Sequence, residues 1–155
     1  GRNLALPPPS HDAMIGTIKP NPHLVIKDTG TPRGRGVFAQ QEYWEGDVVE
    51  ASPILVIRAP WEELPREIQL VVYDWGYLAW KQARSTWGVP LGFGSLINHG
   101  ANPNLEYFAD EARGALLYRA LRHIDGGEEL TVDYNADIEP GNGVDWFKDT
   151  GIKLL

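Results

Sequence analysis

Three short segments of the 155-residue chain hold residue types from which a site could be assembled: Gly34-Arg35-Gly36, Asn98-His99 followed by Pro103-Asn104, and Glu128 through Tyr134. A Gly-x-Gly pair marks an ordinary hairpin turn far more often than a ligand site. The Asn98 amide offers both a donor and acceptors, for a ligand or for buried backbone groups that need partners. His99 can be a ligand or a packed core histidine. No second histidine or carboxylate sits at metal-ligand spacing from it, so no metal site is expected. Leu130 and Val132 alternate as a strand should, and Asp133-Tyr134 ends it. On that reading alone, the segment is an edge strand with an acidic entrance and a core tyrosine.

The elements that must position these residues are short. Pro7-Pro8-Pro9 and further prolines make residues 1–22 an extended or poorly ordered arm. Strands are expected at His23–Lys27, Val37–Ala39, Val48–Ala51, Ile54–Ile57, Leu116–Tyr118 and Leu130–Val132. Turns are expected around Asp28-Thr29-Gly30 and Asp125-Gly126-Gly127. Between Trp61 and Trp87 the apolar spacing changes to one or two helical turns, limited by Pro65. Residues 92–104 read as loop, with Leu96-Ile97 as its apolar centre. Residues 23–155 form one domain, mainly β, with several small sheets and a short helical insert.

Composition bounds the function. Hydrophobic residues at 43% and charged residues at 23% describe a globular chain rather than a disordered one. The absence of cysteine excludes disulfides and thiolate zinc sites and gives no sign of an oxidising compartment. No apolar run reaches the length of a membrane span and no signal-peptide pattern opens the chain, so an intracellular location is expected, cytoplasmic in a bacterium and nuclear in a eukaryote or virus. A net charge of −7 disfavours nucleic acid and suits a basic peptide or protein partner. Six Trp and six Tyr supply rings that can fill a core or wall a channel for a cationic side chain.

Taken together and in this order, Arg33-Gly34-Arg35-Gly36-Val37-Phe38-Ala39, Gly94 through Asn104, and Gly127 through Tyr134 resemble the SET methyltransferase family. The likeness runs from about His23 to Tyr134. Leu91-Gly92-Phe93-Gly94-Ser95 gives it the texture of the small zinc-free bacterial and viral members. The resemblance implies a SET/β-clip fold with a C-terminal pseudoknot, S-adenosylmethionine as cofactor, and transfer of a methyl group to a protein lysine. It assigns the cofactor to Gly34, Arg35, Gly36, Asn98 and His99, with Trp146 and Phe147 from a short post-SET-like segment after Pro140. It assigns catalysis to Tyr134 and the lysine channel to Tyr77, Leu96 and Tyr134, with Tyr73, Trp75 and Trp146 as further candidate walls. The His99 side chain is structural in this scheme. A homodimer is compatible with it.

The chain departs from the family pattern at two places. Gly100 stands where serine usually follows Asn-His, and Ser95-Leu96 replaces Arg-Phe. Those departures keep open an alternative, an inactive SET-fold module that holds a basic tail without methylating it. A third reading is a structural or sugar-binding β-rich domain of clip-like architecture. The first predicts heat on titration with the cofactor and the second predicts little; the third needs no convergence of Asn98 and Tyr134.

Overall fold

The computed structural model describes residues 17–82 and 85–135. Among the described residues, nine strands build three sheets around one main core. Strands β1 (Leu24–Asp28) and β2 (Arg35–Ala39) form an antiparallel hairpin. Its connection is closed by the Asp28 carboxylate accepting from the Gly30 amide at 2.7 Å, with Gly30 and Gly34 at positive φ. The other face of β2 meets the later segment 127–130: Ala39 N–H donates to the Glu128 carbonyl and Leu130 N–H to the Val37 carbonyl.

β3 (Val48–Arg58), β4 (Tyr73–Asp74), β5 (Thr86–Pro90), β7 (Leu105–Asp110) and β8 (Ala115–Ala120) form a five-stranded sheet in the order β4-β5-β3-β8-β7. The two apolar runs expected as separate strands are one, β3. Its first half pairs with β8 and its second half with β5, changing partner at Pro53. Proline lacks a donor, and Pro53 stands where the partners change rather than within one ladder. β6 (Asn98–His99) pairs in parallel with β9 (Thr131–Val132).

The insert between β3 and β5 carries a 3-10 turn at Trp61–Glu63, helix α1 (Arg66–Gln69) and helix α2 (Trp75–Trp80). Pro65 caps α1, and the Asp74 side chain caps α2 by accepting from Tyr77 N–H at 3.0 Å. Val37, Ile97, Leu116, Tyr118, Leu130 and Val132 form the centre of the core. Leu64, Val72, Trp87 and Val89 form a smaller cluster under the insert. Asn21, within the expected arm, donates to the Tyr43 hydroxyl and the Val49 carbonyl. No helix of the described residues is long and apolar enough to cross a membrane.

Candidate active site

The glycine turn, the Asn-His segment and the acidic strand converge. Asn98 donates its amide hydrogens to the Arg35 carbonyl at 3.0 Å and to Glu129 Oε2 at 2.8 Å. Arg33 reaches the other oxygen of Glu129 at 2.7 Å and the His99 carbonyl at 3.1 Å. Gly36 lies beneath this network. A Cβ there would stand 2.5 Å from Glu129 Oε2 and 2.9 Å from Asn98 Nδ2, so a side chain at 36 would displace the groups that join the three segments. Gly34 takes φ +78°, a region glycine enters without cost. The Arg35 side chain is exposed and contributes its carbonyl rather than its charge.

Spacing alone missed Glu129 as a partner. Its ion pair with Arg33 joins residues 96 positions apart, and nothing local in Glu128-Glu129 separates it from a solvated acid.

The pairing of β6 with β9 sets the register between Asn98 and Tyr134. Gly100 N–H extends it by donating to the Val132 carbonyl at 2.9 Å. Asn104, only 2% exposed, clamps the same strand: its amide donates to the Glu129 carbonyl and accepts from Thr131 N–H, both at 2.9 Å. The glycine at 100, a departure from the family pattern, has a local reason. A Cβ there would lie 2.9 Å from Thr131 Cβ and 3.0 Å from its hydroxyl, so Thr131 occupies the space.

His99 Nδ1 accepts from the Tyr134 amide at 3.1 Å. Burial holds its pKa below the ordinary value; Asp133 opposes and Arg33 reinforces that shift. The neutral imidazole is therefore a hydrogen-bond acceptor for the backbone that carries Tyr134.

The Tyr134 hydroxyl donates to the Ile97 carbonyl at 2.5 Å. Burial, with Glu129 adding to it, raises its pKa well above the ordinary range, so the phenol stays protonated. Its ring meets Tyr73 edge-on at 6.0 Å. Beside it a narrow cavity of about 30 Å³ is walled by Tyr73, Tyr77, Tyr107, Tyr134, Gly94, Ser95 and the insert residues Gln69 to Val72. Tyr77 and Tyr73, both expected as channel walls, line this cavity. Tyr107, which lines the cavity and donates to the Tyr134 carbonyl at 3.2 Å, was not anticipated. Leu96 is not among the lining residues and packs against the core; Trp75 is buried in the core instead of walling the cavity. Trp146 and Phe147 lie outside the described residues.

Glu42, His123 and Asp125 bring ligand atoms within 4.8 Å of one another. His123 Nε2 lies 3.2 Å from Glu42 and Nδ1 lies 3.5 Å from Asp125, so a carboxylate stands beside each ring nitrogen. The bridge between Tyr43 and Ile124 brings these two chain segments together, which residue spacing could not show.

Residues 34–135 match the family model of the SET domain. A fission yeast (Schizosaccharomyces pombe) protein, "Histone-lysine N-methyltransferase, H3 lysine-37 specific", is 32% identical over 126 residues, covering 81% of this chain and 78% of the relative. Two solved structures share the fold. A Plasmodium falciparum protein described as a "putative histone methyltransferase" superposes with a TM-score of 0.58 at 22% identity, covering 78% of this chain and 98% of the other. CpSET8 from Cryptosporidium gives 0.56 at 23% identity, covering 74% and 58%. This chain belongs to the SET-domain family. Within that family it is a protein-lysine methyltransferase.

Proposed function

We propose that the chain binds S-adenosylmethionine at the junction of Gly34-Arg35-Gly36, Asn98-His99 and Glu129, and methylates a lysine on a basic, histone-like protein tail. The observation that carries this reading is the joint placement of Gly36, Asn98 and Glu129 in one network, with the Tyr134 hydroxyl held by Ile97, the residue before Asn98. The polar set suits an α-amino acid zwitterion: the Arg33 guanidinium for its carboxylate, and the Glu129 carboxylate, the Asn98 side-chain oxygen and the Arg35 and His99 carbonyls for its ammonium. When bound, the cofactor supplies a methyl group on a sulfonium, the electrophile of an in-line displacement.

The protein's own task is to present a neutral amine in line. A free lysine has a pKa of about 10.4, so near neutral pH only on the order of one molecule in a thousand is reactive, a deficit of roughly 4 kcal/mol. The tyrosine-walled cavity desolvates the amine and favours its neutral form. Because the Tyr134 hydroxyl gives its proton to the Ile97 carbonyl, its oxygen lone pairs are left to accept an N–H of the entering lysine. That fixes the direction of the nitrogen lone pair.

The test is incubation of the protein with isotopically labelled cofactor and a mixture of basic proteins, followed by mapping of modified lysines by mass spectrometry. Label on lysines of a basic tail is the expected outcome. No transfer to any protein, together with no heat on titration of the cofactor, would overturn the reading.

A further inference from the structure

Behind the cavity, β3 buries a carboxylate that the transfer scheme does not use. Glu50 is 4% exposed and Ser52 is fully buried. Among the described residues, no cation pairs with Glu50. Its Oε2 accepts from Phe93 N–H at 2.8 Å and from the Ser52 hydroxyl at 3.2 Å. The Ser52 oxygen in turn accepts from Gly94 N–H at 3.1 Å. Two successive amides of the turn that opens the 93–97 segment are thus held from the strand beneath it.

The same segment carries the groups that shape the cavity. Gly94 and Ser95 form part of its wall. The Gly94 carbonyl accepts from the Tyr118 hydroxyl at 3.3 Å, and that hydroxyl lies 3.3 Å from the hydroxyl of Tyr73, a wall residue. The Ile97 carbonyl holds Tyr134. Gly94 is pressed between the two sides: a Cβ there would meet Ser52 Oγ at 2.5 Å and the Tyr118 oxygen at 2.7 Å. Burying a carboxylate without a counter-charge is a poor way to stabilise a fold, since an apolar side chain of similar volume serves as well or better. Burial raises the pKa of Glu50, as expected for a group kept there against its solvation preference.

We propose that Glu50, acting with Ser52, is a positioning residue for methyl transfer: it clamps the 93–97 backbone from behind, so that the Ile97 carbonyl and the Gly94 wall hold Tyr134 and Tyr73 in register with the entering lysine. This rests on the reading of the cavity as the lysine channel. It touches neither substrate nor cofactor, so its signature is a loss in turnover without a loss in cofactor binding.

The test compares Glu50→Leu, Glu50→Gln and Ser52→Ala with the unaltered protein. Turnover of Glu50→Leu should fall about 10- to 100-fold, the scale set by small misplacements of reacting groups, while cofactor Kd stays within about threefold; the melting temperature should fall by only a few degrees, because the Phe93 amide loses its acceptor. Glu50→Gln keeps an acceptor for Phe93 N–H and should recover most of the turnover. Ser52→Ala, which frees the Gly94 amide and removes one donor to Glu50 but leaves the Phe93 contact, should show an intermediate loss and serves if the leucine variant does not fold. Unchanged turnover in folded Glu50→Leu or Ser52→Ala would overturn the proposal. So would a loss of cofactor affinity parallel to the loss of turnover, or failure of glutamine to rescue. Amide hydrogen exchange at Phe93 and Gly94 reads the clamp without activity: it should accelerate in Glu50→Leu, and equal protection in both proteins would sink the clamp. Absence of methyl transfer by the unaltered protein would count against the channel, and the exchange result would still judge Glu50.

Discussion

Removing one oxygen from Tyr134 separates what its ring does from what its hydroxyl does. In Tyr134→Phe the ring can still meet Tyr73 and His99, and the network around Asn98 is untouched. Turnover should fall by about a hundredfold, the cost of losing alignment, with cofactor Kd within about threefold. Full turnover in that variant would remove the hydroxyl from the mechanism. His99 makes a prediction about pH. Its folded pKa lies below the ordinary 6.5, so the unfolded chain takes up the proton first as pH falls. The stability it contributes is therefore complete above about pH 6.5 and is lost as pH drops through the depressed folded value. Denaturation curves at pH 7.5 and 5.5 should differ more for the unaltered protein than for His99→Gln; parallel behaviour would refute the assignment. Gly100 makes a third. Gly100→Ser should cost about 1–3 kcal/mol through overpacking against Thr131, and Thr131→Ala should return much of it in the double variant. A double-variant cycle without coupling would show that Thr131 is not the reason for the glycine. At this scale much of the site was legible: Gly36, Asn98 and Tyr134 announce themselves by type and order. Glu129 and Thr131 do not, because each matters through a partner far along the chain.

Among the elements, the strand at 129–132 depends on Asn104 more than on its own ladder, which is two residues long. Asn104→Ala leaves the Glu129 carbonyl and the Thr131 amide without their partner. At about 1–3 kcal/mol for each buried group left unpaired, stability should fall by roughly 2–4 kcal/mol, measured by urea denaturation. Cofactor affinity should fall with it, because Glu129 is anchored there; a drop below about half a kcal/mol would show that the ladder suffices alone. The strands expected at 23–27, 37–39 and 116–118 lie within a residue or two of the observed ends, and the runs expected at 48–51 and 54–57 both fall within β3. β5 was not, since Gly88 and Pro90 interrupt Thr86–Pro90 with residues that ordinarily break strands. β7 was hidden too: Leu105–Asp110 mixes acids with aromatics and follows a proline-bearing loop, and its pairing with β8 is what makes it a strand. The helical insert was correctly placed, but Trp75 turns into the core while Tyr77 faces the cavity, a choice made by α2's packing rather than by composition.

For the molecule as a whole, the charge of −7 carries the clearest expectation. If a basic tail is the substrate, long-range attraction assists its capture. Raising ionic strength from about 0.1 M to about 1 M shortens the screening length from about 10 Å to about 3 Å, so KM for a basic peptide should rise several-fold while cofactor Kd changes little. A salt-insensitive KM would point to a substrate recognised by shape rather than charge. Fold class and family were readable from three segments because their order along the chain is itself distinctive; the way they meet was not, because β6 and β9 pair across more than thirty residues. That pairing has a consequence for how the enzyme comes into being. Every group proposed to hold the cofactor before residue 100 waits for Glu129 and Tyr134, which are synthesised later. A nascent chain that holds only the β1–β2 hairpin and the five-stranded sheet therefore lacks the junction proposed for the cofactor until β9 has been made.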